Sequence, residues 1–99
     1  MKINKETLVE LLSDSNVTIN IVYSDIITPA IVTVTDTEFE VLWYDYENQV
    51  CSAGIPISTL HNNRVLNSEK GIIDLYDSNN EKITVQINKY IDLSTYIDK

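Results

Sequence analysis

Between Glu6 and Asn63 the 99-residue chain has no lysine or arginine at all, although that stretch holds nine acids: Glu6, Glu10, Asp14, Asp25, Asp36, Glu38, Glu40, Asp45 and Glu47. The remainder nearly balances, so the formal charge of −8 resides in the first two thirds of the sequence. Affinity for nucleic acid depends on basic side chains that displace counterions from phosphates, and a base-free surface repels DNA and RNA. Direct nucleic-acid binding is therefore excluded. The simplest role for the acids is to keep a small domain soluble.

Other scarcities exclude other chemistries. One cysteine, Cys51, cannot form an internal disulfide, which fits a reducing, cytoplasmic compartment. One histidine, His61, and one cysteine cannot supply the four ligands of a structural zinc site. The two stand alone, ten positions apart, so no nucleophile and base pair is written into the sequence. Two glycines, Gly54 and Gly71, are too few for a phosphate-cradling loop. Asp77, Asn79 and Glu81 have the alternate spacing of a calcium loop, but Lys82 stands where the loop needs glycine and Asn88 where it needs glutamate, so a plain hairpin loop is expected. The sequence implies no metal or cofactor. The N-terminus runs directly into charged residues, without the apolar stretch of a signal peptide, and no segment approaches the length of a membrane span. Apart from an excess of Ile, Asn, Lys and Tyr that AT-rich coding would produce, the composition is that of one ordered domain over residues 1–99.

What is present is periodicity. Leu8, Leu11 and Leu12 form one apolar stripe, predicting a helix over 4–13 with Asn4 as N-cap and Ile3 as a staple onto Leu8. Ten residues are too few to be helical alone, so the stripe must dock. From Val17 the period changes to two. Val17, Ile19, Ile21 and Tyr23 read as a half-buried strand, and Ser24-Asp25 as a turn. Pro29 marks the start or edge of a second strand through Thr35.

Residues 38–46 are the most informative. Phe39, Val41 and Trp43 share a face that must be core, while Glu38, Glu40, Leu42, Tyr44 and Tyr46 share the other. That second face grades from acid to aromatic, so its aromatic end needs cover from the helix, the C-terminal segment, another subunit or a partner. Gln49–Ile55 reads as a strand, Pro56–Leu60 as a tight corner and Arg64–Leu66 as a short closing strand. Ile73 and Leu75 match Ile83, Val85 and Ile87 across the loop 77–81, giving a hairpin over 71–88. The tail Tyr90–Lys99 reads as a strand or a helical turn. The expected fold is mainly β (α+β): a short N-terminal helix, a five-stranded small barrel over 17–67, and the C-terminal hairpin.

The order of helix, five short strands and a corner before the last strand, over residues 4–67, resembles the Sm-like small-barrel family. Asp36 at the turn after the second strand, Ala30 where that family often has glycine, and Ile57-Ser58-Thr59 at the corner carry the likeness. SH3-like barrels share the strand pattern. The basic and histidine residues of the family's bacterial RNA chaperone are replaced here by Gly54-Ile55-Pro56, so RNA binding is not carried over. The resemblance implies a strongly bent barrel with exposed edge strands and a tendency to assemble into rings.

Function is expected to be binding. Glu38 and Glu40 lie on a solvated face where nothing would tune them as an acid and base. Asp36, Glu38 and Glu40 instead form a carboxylate row, with Asp45 and Glu47 at the adjoining turn and Tyr44 and Tyr46 beside them as interface anchors. Carboxylates on alternate residues are about 6.6 Å apart, whereas one nucleic-acid strand carries a charge every 3.4 Å or so, so a nucleic-acid mimic would need a second row. The sequence reading is thus a non-enzymatic, protein-binding domain that meets a basic partner through Asp36, Glu38, Glu40, Tyr44, Asp45, Tyr46 and Glu47. A narrower version is an inhibitor of a nucleic-acid-handling enzyme, of the kind mobile elements encode against host defence. The alternative is an Sm-like ring component whose aromatic face is a subunit contact.

Overall fold

The computed structural model describes residues 1–24, 26–88 and 93–96. Helix α1 (Lys5–Ser13) opens the chain, capped by Asn4, whose Oδ1 accepts hydrogen bonds from the backbone N–H groups of Glu6 (2.9 Å) and Thr7 (3.4 Å). Leu8, Leu11 and Leu12 are buried in the core together with Ile3. Replacing a capping asparagine by alanine costs about 1 kcal/mol, so Asn4→Ala should lower the melting temperature by about 4–8 °C; a thermal scan checks this.

Seven antiparallel strands follow: β1 (Thr18–Tyr23), β2 (Ile26–Val34), β3 (Glu38–Tyr44), β4 (Val50–Pro56), β5 (Arg64–Asn67), β6 (Ile72–Tyr76) and β7 (Lys82–Asn88). They form one sheet in the order β4-β3-β2-β1-β7-β6-β5, curled into a half-barrel. The concave side is the core. Ile19, Ile21, Phe39, Val41, Trp43, Ile55, Ile73, Leu75, Val85 and Ile87 meet there, closed at one end by α1 and by a 3₁₀ turn, Ile57–Asn62, that buries Leu60.

The expected barrel and separate hairpin are therefore a single sheet. β5 does not close on β1. The β6–β7 hairpin lies between them, with β7 along β1 (Ile19 opposite Ile87) and β6 along β5 (Val65 opposite Ile73). Pro29 lies inside β2, which is an internal strand. The backbone bond from Thr35 to Glu38 fixes the alternation, which turns the absent N–H of Pro29 toward β3. Pairing of β2 with β3 ends one residue away, at Ala30–Trp43, so no ladder bond is lost. The expected strand start or edge position is therefore not where Pro29 lies; the proline is accommodated inside an internal strand because β3 has no bond to give it there.

Both long hairpins turn on the same five-residue device. In Asp45-Tyr46-Glu47-Asn48-Gln49 the first carboxylate accepts from the third and fifth N–H groups (2.8 and 2.9 Å), and Asn48 takes a left-handed φ of 60°. Asp77-Ser78-Asn79-Asn80-Glu81 repeats this, with bonds of 2.8 and 2.9 Å and a φ of 61° at Asn80. Asparagine tolerates that region, and aspartate makes such turns with its own backbone.

The two ends of the sheet are treated differently. Short, bulged β5 is covered by the N-terminus: Val65 N–H donates to the Met1 carbonyl (2.8 Å), and buried Asn63 holds Ile3 by two bonds of 2.8 Å. β4 at the other end has no strand beside it among the described residues. The chain ends in a 3₁₀ turn, Leu93–Tyr96, anchored by buried Leu93, whose N–H donates to the Ser68 carbonyl (3.1 Å); the rest of the tail Tyr90–Lys99 lies outside the described residues. No helix among the described residues is long and apolar enough to cross a membrane.

Candidate interaction surface

The convex face of the sheet has two unlike halves. Over β1, β7 and β6 it is polar and internally bonded: Asn20 donates to Gln86 (3.0 Å) and Thr84 to Asp74 (2.6 Å). Over β2, β3 and β4 it is apolar. Pairing register places Ile31 beside Leu42 and Ser52, and Tyr44 beside Val50. Ile31 is 69% exposed, Val50 67%, Tyr44 60% and Ile27 50%. Pro29, Ile31, Leu42, Tyr44 and Val50 line a shallow groove of about 330 Å³ there. Contiguous apolar exposure of this kind marks interaction sites, whereas scattered single residues do not.

No element of the described chain covers that face, because α1 packs on the concave side. The helix is thus withdrawn as the cover expected for Leu42 and Tyr44, and no other element among the described residues takes its place. At the acidic end of β3, Glu40 lies beside Thr33 and Gly54, and Glu38 beside Pro56. Glu38 reaches across β4, since a Cβ added at Gly54 would meet its Oε2 at 2.7 Å. Asp36 is exposed at the adjoining turn, where the Thr35 hydroxyl oxygen accepts from the N–H groups of Thr37 and Glu38.

The seven predicted site residues do not form one cluster. Asp36, Glu38 and Glu40 stand at one end of β3, and Asp45 and Glu47 at the other; the strand spans six residue steps, or about 20 Å, and the nearest two, Glu40 and Asp45, are five steps apart. The Asp45 carboxylate is engaged in its own turn. Tyr46 lies beyond the end of β3 and is 86% exposed; it lines a separate hollow with Tyr23, Ile26, Thr28 and Cys51 rather than sharing the face of Tyr44. The second carboxylate row that close phosphate mimicry needs is therefore not built from Asp45 and Glu47. The sequence reading missed Ile27, Ile31 and Val50. Apolar residues on both sides of β2 hide which side faces solvent, although the small residue Ala30, paired with bulky Trp43, points to the inner one.

A second feature lies where the half-barrel stays open. A cleft of about 400 Å³ separates Ser52 and Ala53 of β4 from Asp77, Glu81, Lys82 and Ile83 of the β6–β7 hairpin, with Ile21 and Trp43 also lining it. Trp43 is 8% exposed and packs at 47° against Tyr23, with ring centroids 6.4 Å apart; its Nε1–H is buried and has no acceptor among the described residues. Buried indole N–H groups usually find a partner. Cys51 is half-buried with Sγ 3.9 Å from Asp45 Oδ2, while exposed His61 is on the 3₁₀ turn beside the N-terminal residues. No group of three or more His, Cys, Asp or Glu residues suited to a metal occurs among the described residues. No protein-family model, curated protein or solved structure matches the chain.

Proposed function

We propose that this chain is a non-enzymatic protein-interaction domain that meets a basic protein partner through the convex face of β2, β3 and β4. The observation that carries the reading is the uncovered apolar surface of Ile27, Ile31, Tyr44 and Val50, continuous along β3 with Glu40 and Glu38. The apolar part supplies affinity, and the carboxylates select a basic partner and speed encounter. Inhibition of a nucleic-acid-handling enzyme is the narrower form, in which Asp36, Glu38 and Glu40 occupy part of a phosphate-binding surface. The alternative, a subunit contact in an Sm-like ring, draws on the same face and on the open β4 edge.

The test is capture of a partner from a lysate of the cells that make the protein, comparing wild type with Glu38→Lys/Glu40→Lys and with Tyr44→Ala. Both variants should lose at least tenfold in affinity for the captured protein, a change of about 1.4 kcal/mol or more. The inhibitor form further requires that DNA or RNA compete for the same partner. If the charge-reversed variant binds as well as wild type, the acidic face is only solubilising. Light scattering tests the ring, since a monomer at high concentration rules it out.

A further inference from the structure

β4 is an unusual edge. Natural sheets protect their edges with charge, proline, bulges or cover. At the other end of this sheet β5 is short, bulged and covered by Met1. β4 has seven residues, Val50 to Pro56, none of them charged, in unbroken register with β3, and its proline comes last.

The outward-facing groups can be identified. Asp45 N–H donates to the Gln49 carbonyl (3.0 Å) and Ile57 N–H to the Thr37 carbonyl (2.9 Å). Antiparallel alternation between those two pairs assigns the backbone groups of Cys51, Ala53 and Ile55 to β3. The N–H and C=O groups of Val50, Ser52 and Gly54 then point away from the sheet, and no hydrogen bond among the described residues reaches them. Val50 and Ser52 present their side chains on the convex face, the side on which Gly54 leaves a gap, while Cys51 and Ala53 face the concave side beside Trp43.

We infer that β4 is a strand-addition site for an extended segment of a partner protein, antiparallel to β4, with a basic residue opposite Gly54 and an apolar residue opposite Val50. This rests on the interaction reading above and gives its mode. The residue opposite Gly54 lies next to the Glu38 carboxylate, which occupies the space that a larger residue at position 54 would fill. The residue opposite Val50 extends the Tyr44–Val50 apolar surface. The residues between them, opposite Ala53 and Cys51, face the cleft that contains Trp43 and its unpartnered Nε1–H, so small apolar side chains fit there. Charge decides against a second copy as occupant. Each copy carries −8, and antiparallel pairing of two β4 edges would bring the Glu38 end of one toward the Asp45 and Glu47 end of the other.

The probe is the acetylated, amidated peptide Arg-Val-Thr-Val-Val, followed through the emission of Trp43, the single tryptophan. Wild type should show a saturable shift in emission, and replacing the peptide's Arg by Glu should weaken binding at least tenfold. Ser52→Pro removes an outward N–H, a change that edge strands tolerate, so the variant should keep its melting temperature within a few degrees and lose binding at least tenfold. Ala53→Pro, one residue on, removes a bond to β3 and should unfold the protein. A folded Ser52→Pro variant that binds the peptide like wild type overturns strand addition, as does the absence of any emission shift at millimolar peptide. If Glu38→Lys/Glu40→Lys still abolishes capture of the protein partner in either case, the interaction face stands and only its mode is wrong. A doubled mass in light scattering that Ser52→Pro returns to monomer assigns the edge to self-association and overturns the heterotypic occupant.

Discussion

Gly71→Ala should destabilise the protein by about 2–5 kcal/mol, against a total of about 5–10 kcal/mol for a domain of this size. Gly71 has φ +72°, and a Cβ built there would lie 2.2 Å from the carbonyl oxygen of Ile87. The left-handed conformation alone costs alanine about 1–2 kcal/mol. The contact is with backbone, so relief requires β7 to move, at a further cost of about 1–3 kcal/mol. That movement also strains the 2.8 Å bond from Ile87 N–H to the Gly71 carbonyl. Gly71→Asn separates the two causes, because asparagine tolerates the left-handed region but carries a Cβ. If handedness dominates, Asn is mild; the geometry predicts that Asn is nearly as damaging as Ala. Urea titration of both variants checks this.

β7 is also the element that the sequence did least to place. Its alternation, Ile83, Val85 and Ile87, was legible, as was its hairpin partner β6. Strand order was not, because alternation reports which residues face inward and says nothing about which strand lies alongside. The insertion of β6 and β7 between β1 and β5 depends on contacts of long sequence separation, such as Ile19 opposite Ile87. Local features did much better. The helix, its Asn4 cap, the inner face of β3 and the corner after Pro56 follow from spacing and turn chemistry, and each stands where those rules put it.

The candidate surface was half legible for the same reason. Alternation along β3 placed Glu40, Leu42 and Tyr44 on one face. Extending that count to Tyr46 failed, because the Asp45 carboxylate turns the chain before the alternation can continue. The matching loop at Asp77 carried the same Asp-x-x-Asn pattern, a signal that would have identified both loops and withdrawn Asp45 from the site. What remains is a surface with exposed apolar area on Ile31, Tyr44 and Val50 and with carboxylates at Glu38 and Glu40. In the proposed interaction the apolar part would supply the affinity, so raising the salt concentration should slow association with a basic partner more than it speeds dissociation.

The other large effect is expected at Asn63, which no pattern singled out. It is fully buried, and its amide completes three bonds: Oδ1 accepts from Ile3 N–H (2.8 Å), and Nδ2 donates to the carbonyls of Ile3 (2.8 Å) and Leu60 (2.6 Å). One side chain thereby ties the N-terminal arm to the corner before β5. Asn63→Ala leaves the buried Ile3 N–H and C=O unsatisfied, while the Leu60 carbonyl keeps the bond from the residue 63 backbone N–H (3.2 Å); at about 1–3 kcal/mol for each orphaned group before relaxation, a loss of about 2–5 kcal/mol is expected. Asn63→Asp keeps the shape but sets an oxygen against two carbonyl oxygens, and should be at least as damaging. Leu60→Val is a control that trims the same corner without touching the network, and should cost only about 1 kcal/mol. Hydrogen exchange supplies the specific readout. In Asn63→Ala the amides of Ile3 and Val65 should exchange much faster relative to those of β3, because Val65 N–H is held by the Met1 carbonyl on the same arm. Uniform acceleration across the sheet would mean that Asn63 contributes only to global stability. Selective release of the arm would expose β5 as a second open edge, and the variant should then aggregate where the wild type, with β5 covered, does not.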